Sequence, residues 1–211
     1  ALRVYSDLFG PYPFRDMRLA PAPLNYRGME YPQVSLLGVE LYDRYRDSLE
    51  MLIAHEVAHQ WWYQLVHNDP INEPWLDEAL SEYSVKLYLE QLYGSEDADD
   101  LQAKRWQTPA TNVKSQGGDR PVNQTVGEFA SDPQYEAIVY GKGALFYDEL
   151  RQSLGKRRFN RFLQRYLQDH RYQIVHTEDW LAAIHALNTP ELELLYESWV
   201  QRPPLLPPPT A

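Results

Sequence analysis

Two histidines and a glutamate interrupt an apolar run, LIAHEVAHQWW, at residues 52–62. His55 and His59 are four residues apart, so on a helix both project from one face with their Cβ atoms about 5 to 6 Å apart. Imidazoles at that separation can bind one metal ion, while Glu56 stays off the ion and can take a proton from water. The alternative is two ordinary helix histidines and a solvated glutamate.

A third ligand separates these alternatives, because catalytic zinc usually takes three protein ligands and leaves one position to water. The stretch EPWLDEALSEYS supplies Glu78, which follows His59 by 19 residues in a second predicted helix. The connection between the two helices is long enough for the chain to reverse direction. We therefore predict one Zn²⁺ site per chain, formed by His55, His59 and Glu78.

Most of the elements that must position these residues have apolar residues at helical spacing. Short apolar segments at 17–24 and 33–42 are typical of strands, and Pro21 places the first of them at a sheet edge. Residues 95–133 are polar and predict one short helix around 101–106 followed by long loops. The sequence therefore predicts an α+β fold, mainly α-helical, with a small N-terminal sheet portion. The other predicted helices cover 48–66, 75–92, 137–154, 157–170, 177–187 and 190–200.

Composition excludes several classes of protein. With 211 residues, 44% of them hydrophobic, the chain can bury a sizeable core. A formal charge of -10 argues against a nucleic-acid partner, and no apolar run approaches the roughly 20 residues of a membrane span. The chain has no cysteine, so a metal must be held by nitrogen and oxygen ligands.

Two further motifs accompany the histidines. GMEYP at 28–32 resembles a G-A-M-E-N exopeptidase motif, and YGKGA at 140–144 resembles a Y-x-K-G segment. Together with HEVAHQWW and WLDEALSEY, they resemble the M1 family of zinc metallopeptidases, the gluzincin aminopeptidases that include aminopeptidase N and leukotriene A4 hydrolase. The resemblance implies a thermolysin-like catalytic domain with a zinc cofactor.

The same resemblance implies a role for each matching residue. Glu56 is expected to be the general base for the attacking water, and Tyr140 the donor that stabilises the tetrahedral intermediate. Glu30 is expected to hold the free amino terminus of the substrate, with Gly28 and Met29 beside it on the substrate-binding segment. A phenolic hydroxyl aimed at the developing oxyanion stabilises the transition state more than the ground state.

The chain departs from the family motifs at several positions. Arg27 stands where the exopeptidase motif has its first glycine, and Tyr31 replaces its asparagine. Residues 62–64, WYQ, replace the more usual Phe-Gly-Asn, and Asp77 replaces an asparagine. From its adjacency to a ligand, we hypothesise that Asp77 or Glu82 orients a ligand imidazole.

Domain organisation and function follow from the same resemblance. Residues 1–200 are expected to form the thermolysin-like domain, truncated at its N-terminus and lacking the flanking domains of full M1 enzymes, with a Pro-rich tail at 201–211. The expected activity is zinc-dependent hydrolysis of peptide bonds, removing N-terminal residues from peptides with a free N-terminus. Open alternatives are a thermolysin-like endopeptidase, an epoxide hydrolase, and a non-catalytic interaction scaffold of the same fold.

Overall fold

The structure, a computed structural model, describes residues 1–201 and is mainly helical. It has one small sheet near the amino terminus and a two-stranded sheet formed by Val66–His67 and Gln173–Ile174. This confirms the predicted α+β, mainly α-helical class. No helix in these residues combines the length and apolarity needed to cross a bilayer. The helices are α1 Leu2–Phe9, α2 Arg46–Ala58, α3 Trp75–Leu92, α4 Ser95–Leu101, α5 Thr108–Ser115, α6 Asp132–Tyr135, α7 Gly143–Leu154, α8 Lys156–His170, α9 Thr177–His185 and α10 Pro190–Trp199.

The N-terminal sheet has three strands in the order β1-β3-β2. Strands β1 (Arg18–Ala22) and β3 (Val34–Gly38) run parallel, whereas β2 (Gly28–Tyr31) is antiparallel to β3. β1 is an edge strand, as Pro21 predicts, because proline lacks the N–H that a central strand donates. β2 forms the other edge, so one side of its backbone is not paired within the sheet.

Helices α2 and α3 pack against each other at the centre of the fold. α3 is buried on nearly every side, which explains why polar residues such as Ser81 and Lys86 lie inside the protein. Helix α7 also packs against α3, and Gly143 permits this close approach. A Cβ atom at Gly143 would lie only 2.5 Å from the Cβ atom of Ala79.

Several elements differ from the sequence-based expectation. α2 ends at Ala58 rather than near residue 66, because the chain then turns and Tyr63 adopts a φ of 142° that a helix cannot accommodate. Residues 95–115 are more helical than predicted, and the strand β2 was not predicted from periodicity. From position 202 onward, the predicted Pro-rich tail lies outside the described residues.

Two π-helices interrupt the α-helical pattern in the second half of the chain. The first, π1, is Gln102–Gln107 and continues directly from α4 into α5. The second, π2, is Glu136–Lys142 and leads from α6 into α7. π-Helical segments are rare and occur frequently at functional sites.

Candidate metal centre and active site

The three predicted ligands converge on one point between α2 and α3. His55 Nε2 lies 3.1 Å from both His59 Nε2 and a carboxylate oxygen of Glu78, and His59 Nε2 lies 3.3 Å from that oxygen. Ligand atoms held 2.0–2.1 Å from a tetrahedral zinc ion are roughly 3.3 Å apart. The spacing and chemistry of these donors therefore fit a zinc ion.

The opposite ring nitrogens of both histidines are occupied by other groups. His55 Nδ1 lies 3.1 Å from Glu82 Oε2, and His59 Nδ1 lies 3.0 Å from the Trp62 carbonyl oxygen and 3.1 Å from Ser81 Oγ. A partner at Nδ1 fixes the tautomer and leaves Nε2 free to accept a metal. Both rings are therefore oriented for coordination through Nε2.

Of the two carboxylates expected to orient an imidazole, the structure brings Glu82 into contact and leaves Asp77 farther away. Asp77 Oδ2 is 3.9 Å from His59 Nδ1, while its other oxygen accepts a 2.8 Å hydrogen bond from Asn68. Burial, followed by repulsion from Glu78, raises the pKa of Asp77 to about 8. Asp77 thus contributes to the electrostatics of the site rather than to a direct hydrogen bond with His59.

Glu56 lies beside the ligand cluster with one oxygen unsatisfied. Its side chain is buried, and its Oε2 atom has no hydrogen-bond partner among the described residues. Burial raises the pKa of the Glu56 carboxyl to about 7, although the imidazoles of His55 and His59 act in the opposite direction. A buried carboxylate with a free acceptor atom and a pKa near neutrality is suited to accept a proton from water.

Gly28 is the residue of β2 against which the Glu56 carboxylate rests. A Cβ atom at this position would overlap the Glu56 side chain, so only glycine permits the observed contact between strand and helix. This contact gives the first position of the GMEYP motif a physical reason to be glycine. It also brings β2 next to the predicted general base.

We expect Gly28→Ala to displace the Glu56 carboxylate and to lower kcat by roughly 100-fold, because displacements near 1 Å can cost that much. The measurement is steady-state hydrolysis of an unblocked aminoacyl amide, with circular dichroism to verify folding. Gly38→Ala is the matched control, since the atoms nearest to its added methyl belong to the Glu40 side chain. Equal kcat values for the two variants would show that the Gly28 contact does not position Glu56.

Tyr140 lies on π2, next to the ligand cluster. Its ring stacks on that of His55, with centroids 5.6 Å apart and an interplanar angle of 29°. Burial, followed by the charge of Glu78, raises the pKa of Tyr140 well above its usual value. The hydroxyl therefore stays protonated and can donate a hydrogen bond.

Tyr135 is a site residue that the sequence analysis missed. Its ring centroid is 5.7 Å from that of Tyr140 in an edge-on arrangement, and the two hydroxyls share a hydrogen bond that partly offsets the effect of burial on the pKa of Tyr135. A five-residue spacing places two side chains on one face only in a π-helix. The five-residue spacing of Tyr135 and Tyr140 was therefore the signal in the sequence. It has no meaning when the segment is interpreted as an α-helix.

Glu30 and Met29 lie on β2, and two glutamines attach this strand to the segment after His59. Gln60 donates a 3.0 Å hydrogen bond to the Tyr31 carbonyl, and Gln64 donates a 3.4 Å hydrogen bond to the Glu30 carbonyl. Both Glu30 and Met29 are half-buried. The Glu30 charge contributes to the raised pKa of Glu56, so the two carboxylates are close enough to interact electrostatically.

Tyr63 occupies the position at which the family motif has glycine, and its backbone shows why glycine is usual there. Its φ of 142° lies in a region that residues with a Cβ atom rarely adopt. Hydrogen bonds hold the conformation, since the Tyr63 carbonyl oxygen is 3.0 Å from His67 Nδ1 and the Gln64 amide donates to the His59 carbonyl. The centroids of the Tyr63 and His67 rings are also only 4.3 Å apart.

The chain is similar in sequence to several known enzymes. Leukotriene A-4 hydrolase from Xenopus laevis is 28% identical over 98% of this chain and 35% of its own length. Aminopeptidase M1-C from Oryza sativa is 26% identical over 96% of this chain and 24% of its own length. The chain thus spans about a third or less of these relatives.

Solved structures show the same fold. An M1 zinc metallopeptidase mutant from Deinococcus radiodurans, bound to a Tyr-Ser-Ala substrate, matches with a TM-score of 0.75 and 26% identity over 98% of this chain and 44% of that chain. Native yeast LTA4 hydrolase has a TM-score of 0.78 over 99% of this chain and 35% of its own. At 23% identity, the yeast protein supports the fold alone.

The family assignment rests on a match that covers almost the whole described chain. The model of the peptidase family M1 domain matches residues 2–199. This range contains the histidine pair, Glu78, the GMEYP strand and the tyrosine on π2. The chain therefore belongs to peptidase family M1.

Proposed function

We propose that this chain hydrolyses peptide bonds with a zinc cofactor and removes N-terminal residues from peptides with a free amino terminus. The single observation that carries the proposal is the convergence of His55, His59 and Glu78 beside the unsatisfied carboxylate of Glu56. Residues 1–200 would act as one catalytic domain, and a longer enzyme would supply the flanking domains.

The ligand set would hold zinc through two neutral imidazole nitrogens and one carboxylate oxygen. Bound zinc supplies a Lewis acid that polarises the scissile carbonyl and lowers the pKa of water. Glu56 takes a proton from the attacking water at its free Oε2 atom and then passes that proton to the departing amine. Its buried Oε2 atom has no other hydrogen-bond partner among the described residues, so it is available for this proton.

Tyr140 would stabilise the negative charge that develops on the carbonyl oxygen during attack. Its protonated hydroxyl is positioned beside the ligand cluster by the stacking on His55 and by the hydrogen bond with Tyr135. A preorganised donor of this kind costs little reorganisation at the moment of reaction. Tyr140 therefore assists catalysis without needing to change its protonation state.

Glu30 favours an aminopeptidase over a thermolysin-like endopeptidase. The residue lies on an edge strand of the sheet, and its carboxylate interacts electrostatically with that of Glu56. A carboxylate in that place can pair with a substrate ammonium group and so position the first peptide bond for hydrolysis. An endopeptidase has no need of such a group.

We expect Glu30→Gln to lower kcat/KM for unblocked peptides by about 10- to 100-fold, the value of a charge-assisted hydrogen bond. The wild-type chain should cleave a fluorogenic aminoacyl amide and reject its N-acetylated form, and the variant should lose much of this preference. Glu40→Gln, on the turn after β3, is the control. Cleavage of the acetylated substrate by the wild-type chain would instead establish the endopeptidase.

A further inference from the structure

Glu82 is a buried carboxylate one helical turn beyond Glu78, and only 1% of its side chain is exposed. One of its oxygens lies 3.1 Å from His55 Nδ1. Its other neighbours are a cation and an indole N–H donor, so the carboxylate is held directly behind a predicted zinc ligand.

Two consecutive residues of π1 hold this carboxylate in place. The Nη2 atom of Arg105 lies 3.1 Å from each carboxylate oxygen of Glu82. The indole N–H of Trp106 donates a 2.8 Å hydrogen bond to Glu82 Oε1. Trp106 is fully buried, whereas Arg105 is about one-third exposed. With His55 as the third partner, both carboxylate oxygens are engaged and the group cannot rotate without losing a hydrogen bond.

The same segment also supports the helix that carries Tyr140. A Cβ atom at Gly141 would lie 3.3 Å from the Trp106 carbonyl oxygen, so π1 and π2 are in direct backbone contact there. The polar segment after α3, to which the sequence analysis assigned no function, thus lies behind both the His55 ligand and the Tyr140 donor. This arrangement gives π1 a place in the site although none of its side chains is among the predicted metal ligands.

We propose that Arg105 and Trp106 are positioning residues, which lock the Glu82 carboxylate and thereby orient the His55 imidazole for zinc binding. This inference rests on the proposed zinc site. Partners of ligand histidines commonly affect metal affinity by 10- to 100-fold, because they fix the ring and raise its basicity. If the Arg105–Glu82 pair served only to stabilise the fold, its loss would change the unfolding temperature and not the zinc affinity of the folded protein.

The test uses Arg105→Met in the full chain, with zinc affinity measured by competition against a chromophoric chelator. Lys104→Met is the matched control, because Lys104 is the adjacent cation and pairs with Asp100 at the surface. We expect Arg105→Met to weaken zinc binding by 10- to 100-fold and to alter the absorption spectrum of the cobalt-substituted protein. Arg105→Lys should restore part of the affinity, and Lys104→Met should match the wild type.

A second variant, Trp106→Phe, keeps an aromatic side chain and removes the N–H donor together with part of the indole ring, so it tests the inference even if Arg105→Met fails to fold. Zinc affinity and cobalt spectra within twofold of wild type in the folded Arg105 or Trp106 variants would overturn the inference while leaving the zinc site intact. A wild-type chain that binds no zinc would overturn the proposed function as well. These two failures are therefore distinguishable.

Discussion

Replacing Glu56 with glutamine is expected to abolish nearly all peptide hydrolysis while the chain remains folded and retains zinc. Glutamine has almost the same shape but cannot accept a proton, and its amide can still occupy the space against Gly28. General-base catalysis contributes about 10²- to 10⁴-fold, so kcat should fall by at least that factor. Zinc binding should persist, because Glu56 is not one of the three converging ligands.

The measurement is kcat and metal content on the same preparation. Glu50→Gln is a suitable control because Glu50 lies on the same helix, and an amide oxygen can still accept the hydrogen bonds from Tyr88 and Tyr93. Undiminished kcat in Glu56→Gln would remove Glu56 from the mechanism. Loss of zinc together with activity would mean that Glu56 acts in metal binding rather than in proton transfer.

Replacing Tyr140 with phenylalanine is expected to lower kcat by about 10²- to 10³-fold, the usual effect of deleting one oxyanion donor. The ring contacts with His55 and Tyr135 are retained in this variant, so packing should change little. KM should stay near the wild-type value, because the hydroxyl acts on charge that develops only in the transition state.

Steady-state kinetics on an unblocked substrate, with Tyr45→Phe as an exposed control, would measure this effect. A rise in KM with constant kcat would instead assign Tyr140 to substrate binding. A kcat close to wild type would mean that zinc and Glu56 suffice to stabilise the intermediate.

The predicted ligand set and the two central helices could be derived from the sequence because their signals are local. His55 and His59 are one helical turn apart, and Glu78 lies in the first turn of a helix whose apolar spacing is clear. Each of these patterns depends on residues within the same element. The structure then brings the three donor atoms together at distances that suit one ion.

Other parts of the site depend on contacts between distant segments and leave little local trace. Gly28 meets Glu56 across 28 residues, and Arg105 meets Glu82 across 23. In sequence, Arg105 is one cation among several in a polar region, indistinguishable from its surface neighbour Lys104. Only the structure distinguishes Arg105, which pairs with a buried carboxylate, from Lys104, which forms a solvent-exposed ion pair.

The π-helices were missed for a different reason. Helix periodicity is judged against 3.6 residues per turn, so a segment with i→i+5 hydrogen bonds does not match the template. From periodicity, residues 101–106 are therefore predicted as an ordinary short helix, and no role is predicted for Tyr135. In the structure, π1 and π2 carry the residues that support His55 and cover the ligand cluster.

Metal content of the purified chain tests the central claim most directly. Elemental analysis of zinc-supplied and dialysed wild-type protein should give about one zinc per chain, as expected for a site with three protein ligands. Glu78→Ala should lose the ion, whereas Glu96→Ala, at an exposed position of α4, should retain it. Absence of zinc from the wild-type chain, or an undiminished zinc content in Glu78→Ala, would contradict the assignment of His55, His59 and Glu78 as a catalytic zinc site.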